Sequence, residues 1–94
     1  MRPQAYVNHI RFIESCEGLL PEARQLLLDS ARRQLYMALQ PQEQRVVFAY
    51  QLLEQRHPRD TIPGRISAAF GVQKSQAYRD LAAAYALFPR NGNG

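Results

Sequence analysis

The sequence is poor in cysteine, and Cys16 is the only one among its 94 residues. A single cysteine excludes an intramolecular disulfide, a zinc site built from several cysteines and a secreted cystine-rich scaffold. Long apolar runs are also missing, since the longest, residues 81–88, falls far short of the roughly 20 residues that cross a membrane. Residues 1–8 do not resemble a signal peptide. We therefore expect an intracellular protein with no membrane partner.

Runs of alternating apolar and polar residues, which are typical of strands, are absent as well. With 46% apolar and 21% charged residues, the composition is that of a globular protein. Prolines and glycines divide the chain into segments with helical periodicity. The sequence predicts an all-α fold of about five helices, at 4–16, 21–40, 42–56, 62 or 63 to 70, and 74–88.

Three regions follow from this division. Residues 1–40 form a predicted helical hairpin, and residues 41–89 a trihelical unit with two short C-terminal helices. The tail, 90–94, has nothing to bury and is expected to be mobile. It resembles the start of a linker, which leaves open whether the chain continues into a further domain.

The apolar stripe of the second helix is broad, which is typical of a helix in a core or between subunits. It therefore gives the hairpin a role in packing or in oligomerisation. Its members are Ala23, Leu27, Ala31, Leu35 and Ala38, with Leu20, Leu28 and Leu39 at its edges.

Spacing also predicts the inner residues and the caps of the other helices. Gly18 is the expected C-cap of the first helix and Thr61 the expected N-cap of the fourth. Gly71 is expected in the left-handed conformation, because the chain must turn sharply there. The expected inward residues are Tyr6, Ile10 and Ile13; Val46, Val47, Tyr50 and Leu53; Ile66 and Phe70; and Ala77, Leu81, Ala84 and Phe88.

Positive charge is concentrated in the second half of the chain. The chain has 12 basic and 8 acidic residues, a net charge of +4. Residues 56–79 contain five basic residues and a single acidic residue, Asp60. A local excess of this size favours a polyanionic partner.

The stretch 66–81 resembles the helix-turn-helix of DNA-binding proteins. Ile66, Phe70, the turn pair Gly71-Val72, Ala77 and Leu81 match that family's spacing. Two positions depart from its pattern: Ser67 stands where the family favours alanine, and Gln73 stands where it favours a serine or threonine cap. The resemblance implies that double-stranded DNA is the partner and that the last helix enters the major groove.

A narrower resemblance is carried by the run from Phe70 to Leu81. It is similar to a Phe-Gly-Val-Ser-x-x-Thr-Ala-Tyr-Arg-Asp-Ile pattern in phage helix-turn-helix proteins, among them terminase small subunits. That resemblance implies recognition of viral DNA for genome packaging, in the cytoplasm of a host cell. It also implies assembly into a homo-oligomer and a larger packaging or regulatory partner.

The candidate DNA contacts lie on the outward face of the last helix and on nearby cations. Taking Ala77 as the inward direction, Ser75 and Arg79 point away, flanked by Gln76 and Tyr78. An arginine can pair with guanine and a glutamine with adenine, whereas residues at a helix start attract phosphates. The predicted DNA-binding set is Arg56, Arg59, Arg65, Gln73, Lys74, Ser75, Gln76, Tyr78 and Arg79.

No constellation points to catalysis, to a metal or to a cofactor. His9 and His57 are far apart, with no ligand partner at metal-binding spacing. Cys16 has no nearby histidine, and Gly64 and Gly71 are too isolated for a phosphate loop. Two alternatives remain open: a helix-turn-helix transcriptional regulator, and a protein-interaction module that does not bind DNA.

Overall fold

The computed structural model describes residues 1–88, and these residues form an all-α fold, as predicted. No strand occurs among them, and none of their helices has the length and apolar character that crossing a bilayer requires. Pro89 and the predicted mobile tail at 90–94 lie outside the described residues. The helices are α1 (Pro3–Glu14), α2 (Pro21–Met37), α3 (Pro41–Glu54), α4 (Ile62–Phe70) and α5 (Lys74–Tyr85), with a short 3₁₀ turn at Arg59–Thr61 before α4.

The chain divides after Gln40 into two compact units. In the first unit α1 packs against α2. Apolar periodicity places one side of α1 in the core, and proline opens both helices, where its missing N–H costs nothing. The Arg24 Nη2 donates to the Cys16 carbonyl at 2.7 Å and ties α2 to the connection. The buried side chains are Tyr6, Val7, Ile10, Ile13, Leu28 and Leu39.

The inner face of α2 differs from the predicted stripe. Leu28 is buried, whereas Leu27 is 47% exposed and Leu20 and Leu26 are each 70% exposed. The reason is that α2 packs within its unit on one helix only, and a single partner covers a narrower strip than the sequence offers. Tyr36 of α2 is partly buried. Its burial and the neighbouring Tyr6 raise the pKa of its phenol.

The second unit is built from α3, α4 and α5, which all pack against one another. Val46, Val47 and Tyr50 are buried as predicted, but Leu52 is buried in place of Leu53, which is half-buried. The inner face of α3 is therefore broader than predicted and takes in Ala49 and Leu52, because α3 contacts both α4 and α5. The core is completed from α4 and α5 by Ile62, Pro63, Ile66, Ala77, Leu81 and Ala84.

One of the predicted caps is wrong, and a second lacks its side-chain hydrogen bond. Gly18 does have a positive φ of 87°, but α1 ends earlier, at Glu14, and is capped by Ser15. Thr61 is the N-cap residue of α4, as predicted, yet its hydroxyl donates backwards to the Pro58 carbonyl at 2.6 Å and bonds no N–H of α4. The 3₁₀ turn holds Thr61 in a helical conformation, which turns its side chain away from the start of α4.

The end of α3 places a bulky residue in a conformation that favours glycine. Arg56 has a φ of +62°, the only positive φ outside glycine among residues 1–88. Its N–H bonds the Leu53 carbonyl at 3.0 Å, and the His57 N–H bonds the Leu52 carbonyl at 3.1 Å. This pair of bonds forms a Schellman motif, whose left-handed position is usually glycine.

We expect Arg56→Gly to raise the free energy of unfolding by about 1 kcal/mol, because glycine adopts this φ without a Cβ penalty. Urea denaturation followed by circular dichroism measures the change. The matched control is Arg59→Gly, three residues on and also exposed, which should not stabilise the protein. A lower stability for Arg56→Gly would contradict the strain at this position.

Candidate nucleic-acid interface

The connection between α4 and α5 is a tight three-residue turn, residues 71–73. Gly71 adopts the predicted left-handed conformation, with φ 68° and ψ 27°, and its N–H bonds the Ser67 carbonyl at 2.8 Å. The Ser67 hydroxyl then donates to the Val72 carbonyl at 2.6 Å. Ser67, which departs from the helix-turn-helix pattern, therefore fastens the turn through a bond that alanine cannot make.

Two contacts hold α4 and α5 against the supporting helix α3. Phe70, at the end of α4, meets Phe48 of α3 edge to face, with ring centroids 5.3 Å apart. Ala77 is completely buried, and its small side chain lets α5 approach its neighbours closely. The predicted inward stripe of α5 is confirmed at Ala77, Leu81 and Ala84, whereas Phe88 is half-buried.

A buried carboxylate fixes the rotation of α5. Asp80 is 1% exposed, and its Oδ2 accepts a bond of 2.7 Å from Nε of Arg45 in α3. Its Oδ1 accepts a bond of 3.1 Å from Nε2 of Gln76, one turn earlier in α5. Both carboxylate oxygens are therefore bonded, which offsets the desolvation of the charge.

This arrangement also orients the amide of Gln76. A carboxylate paired with arginine only accepts hydrogen bonds, so Gln76 must turn its amide nitrogen toward Asp80. Its carbonyl oxygen then points away from Asp80, and the side chain is half-buried. The bond to Asp80 therefore leaves the carbonyl oxygen of Gln76 as its free acceptor. Pairing with adenine through two bonds would instead need both the amide nitrogen and the oxygen.

The face of α5 opposite the buried Asp80 is open to solvent, as predicted. Ser75 and Arg79 are exposed, and Tyr78 is 59% exposed. The later part of the same face carries only small exposed side chains, Ala82, Ala83 and Ala86. The start of α5 thus presents polar side chains, and its end lets another surface approach the backbone closely.

The exposed cations of α4 and α5 are not compensated by acidic side chains. No acidic residue occurs between Asp60 and Asp80, and Asp80 is already paired with Arg45. Within residues 1–88, Arg65, Lys74 and Arg79 have no carboxylate at ion-pairing distance. The Gln73 side chain does not cap α5, so the first N–H groups of the helix stay available to an anion beside Lys74.

The structure separates the nine predicted DNA contacts into two groups. Gln73, Lys74, Ser75, Gln76, Tyr78 and Arg79 lie together at the start of α5, and Arg65 lies exposed in the first turn of α4. Arg56 and Arg59 belong elsewhere, since the Arg59 guanidinium lies over the ring of Tyr85, 5.4 Å from its centroid. Tyr85 ends α5, about 16 Å along the axis from Lys74 at 1.5 Å per residue.

Comparison with protein-family models, with curated proteins and with solved structures gave no match.

Sequence reasoning missed the residues that support the face. Asp80 could have been suspected, because it lies between the inward positions Ala77 and Leu81 and four residues after Gln76. Arg45 had no such signal, since it is 35 residues away and pairs with Asp80 only once α3 and α5 pack together. The bond from Ser67 to Val72 likewise depends on the turn that Gly71 makes.

We expect Asp80→Ala to lower the free energy of unfolding by about 3 kcal/mol, because it leaves the guanidinium of Arg45 partly buried without a partner. Urea denaturation measures the loss. The double variant Arg45→Met with Asp80→Leu should lose less, since it removes both charges and fills the volume. If Asp80→Ala lowers the free energy of unfolding by less than about 1 kcal/mol, the value for an exposed ion pair, the bonds of Asp80 to Arg45 and Gln76 are not important for stability.

Proposed function

We propose that this chain binds duplex DNA, with the start of α5 in the major groove. The observation that carries the proposal is the exposed face of Ser75, Tyr78 and Arg79, next to cations that no acidic side chain compensates. The major groove of DNA admits one α-helix. Because one side of α5 is packed against α3 and α4, its exposed side is free to enter the groove. The proposed role is binding rather than catalysis.

Each exposed residue has a distinct part in this proposal. Arg79 pairs with a guanine edge, and Ser75 and Tyr78 contact neighbouring groups in the groove. Lys74 and Gln73 meet a phosphate at the start of α5, where free backbone N–H groups add to the attraction. Arg65 contacts the sugar-phosphate backbone and carries no sequence information.

The resemblance to terminase small subunits leads us to propose viral DNA packaging as the biological setting, with a larger packaging protein as a partner. A transcriptional regulator uses the same chemistry and is the second candidate. Both would bind more tightly as assemblies, since a monomer with few phosphate contacts binds weakly and linked copies gain avidity.

Self-association is part of the proposal, and one observation favours it. The first unit exposes several large apolar side chains and has a small core, and such small domains often depend on association. Residues 1–40 carry a net charge of only +1, from five arginines and four acidic residues, so copies do not repel one another strongly. The exposed apolar side chains are Met1, Phe12, Leu20, Leu26, Leu27 and Met37.

Fluorescence anisotropy with labelled duplex DNA tests the proposal. Binding should weaken with salt, and Arg65→Ala should lower the slope of log K against log salt by about 0.9, the value for one phosphate. Arg79→Ala should reduce discrimination between duplexes by about 1–3 kcal/mol. Sedimentation of the same mixtures gives the number of copies bound.

The matched control is Arg33→Ala, an exposed arginine of α2, which should leave both the slope and the discrimination unchanged. No binding to duplex DNA at low salt would show that the chain is not a DNA-binding protein. If the apolar residues of the first unit mediate protein contacts alone, self-association should persist in the absence of any affinity for DNA.

The orientation of Gln76 gives a sharper prediction about base preference. With its carbonyl oxygen turned away from Asp80, Gln76 should favour a base that offers an amino group, cytosine N4 or adenine N6. Gln76→Met should remove about 1–3 kcal/mol of preference at one base pair. Competition among duplexes changed at single positions of a selected site measures it, with the exposed Gln34→Met as control. An unchanged preference in Gln76→Met would exclude Gln76 from base recognition.

A further inference from the structure

A cavity of about 430 Å³ lies in the second unit, at the end of α5 opposite the proposed DNA-binding start. This volume is in the range of small-molecule sites. The cavity is open to solvent on one side, and three segments line it: the end of α3, the loop that follows it and the end of α5. Its lining consists of Leu53, Arg56, His57, Arg59, Tyr85 and Phe88.

One wall of the cavity is apolar and aromatic, and a buried tyrosine of α3 supports it. Phe88 packs on Tyr50 of α3, with ring centroids 4.6 Å apart. Tyr50 is buried, and its hydroxyl donates to Oε2 of Glu54 at 3.1 Å. Leu53 and Tyr85 complete this wall. A planar apolar group can be buried against such a surface, since aromatic rings stack offset or edge to face.

The other side of the cavity is rich in hydrogen-bond donors and has no acidic residue in its lining. Arg59 and Arg56 supply guanidinium groups, and His57 supplies an imidazole. The guanidinium of Arg59 is held over the ring of Tyr85. The two nearest acidic residues along the chain, Glu54 and Asp60, form no ion pair with Arg56 or Arg59 within residues 1–88. Planar guanidinium groups bind phosphate and carboxylate with two parallel bonds, so this side favours an anion.

The backbone at Arg56 gives a second, independent observation. A positive φ at a bulky residue is strained, and such strain is concentrated at binding sites. Glycine would end α3 at this position without that cost. An arginine there lines the cavity instead, which indicates a use for its side chain beyond the helix end.

From these features we infer that the cavity is a binding site for a small aromatic phosphate, that is, a molecule with both a planar ring and a phosphate monoester. The ring packs against Tyr85, Phe88 and Leu53. The phosphate, with up to two negative charges and three acceptor oxygens, bonds to Arg56 and Arg59. The site is distinct from the proposed DNA-binding residues, because Tyr85 lies about 9 Å along α5 from Arg79, the last of them.

Calorimetric titration of the full chain with phenyl phosphate tests the site. Phenyl phosphate should bind at least about tenfold more tightly than inorganic phosphate or phenol, because only it uses both sides of the cavity. Phenyl phosphate that binds no better than inorganic phosphate would overturn the proposal, since the apolar wall would then contribute nothing.

Two variants locate the binding. Arg59→Gln and Arg56→Gly should each weaken phenyl phosphate binding by about tenfold, the effect of losing one charged hydrogen bond. Arg56→Gly is informative because it is expected to stabilise the fold, so its loss of affinity cannot come from unfolding. The control is Arg33→Gln, an exposed arginine of α2 outside the cavity. Equal weakening in Arg33→Gln, or unchanged affinity in both cavity variants, would overturn the site.

The same titration distinguishes two sources of this chemistry. A deoxynucleoside 5′-monophosphate represents free nucleotides, and phosphotyrosine amide represents a modified peptide. Tighter binding of either one than of phenyl phosphate supports the site and identifies the source, whereas weaker binding of both than of inorganic phosphate overturns it. A probe held instead at the start of α5 would bind equally well to Arg56→Gly and Arg59→Gln, so the failure of this site and the failure of DNA binding are distinguishable.

Discussion

The buried carboxylate of Asp80 is the interaction on which the geometry of the second unit depends. An acidic side chain that is 1% exposed needs partners at both oxygens, and Arg45 and Gln76 supply them. Because Arg45 belongs to α3, the bond sets the angle at which α5 is rotated on its support. That angle determines which side of α5 faces solvent, and so Ser75 and Arg79 are exposed because Asp80 is not.

The two ends of α5 have different chemistry, although one helix carries both. Its start combines exposed polar side chains, unpaired cations and free backbone N–H groups, which suits an extended polyanion. Its end places Tyr85 beside Arg59 at the rim of a cavity with an aromatic wall, which suits a compact ligand. Positive charge therefore serves two sites of different shape, and the clustering of arginines along the sequence does not reveal this division.

Sequence reasoning succeeded where the determining forces are local. Proline and glycine restrict their own backbone, so the helices and the left-handed turn at Gly71 could be predicted from residue type. It was less accurate at inner faces that depend on a neighbour. Leu28 is buried where the pattern favoured Leu27, and Leu52 where it favoured Leu53, because adjacent leucines fit the same periodicity and only the position of the partner helix distinguishes them.

By itself, then, the sequence determined the all-α class, the order of the helices and the exposed polar start of α5, since periodicity and chain-breaking residues act over a few positions. Tertiary structure alone decided that Arg45 meets Asp80 and that Arg56 and Arg59 line a cavity with Tyr85 and Phe88. The physical reason is distance along the chain: the partners in each case belong to segments far apart in sequence, and they meet only after the helices have packed.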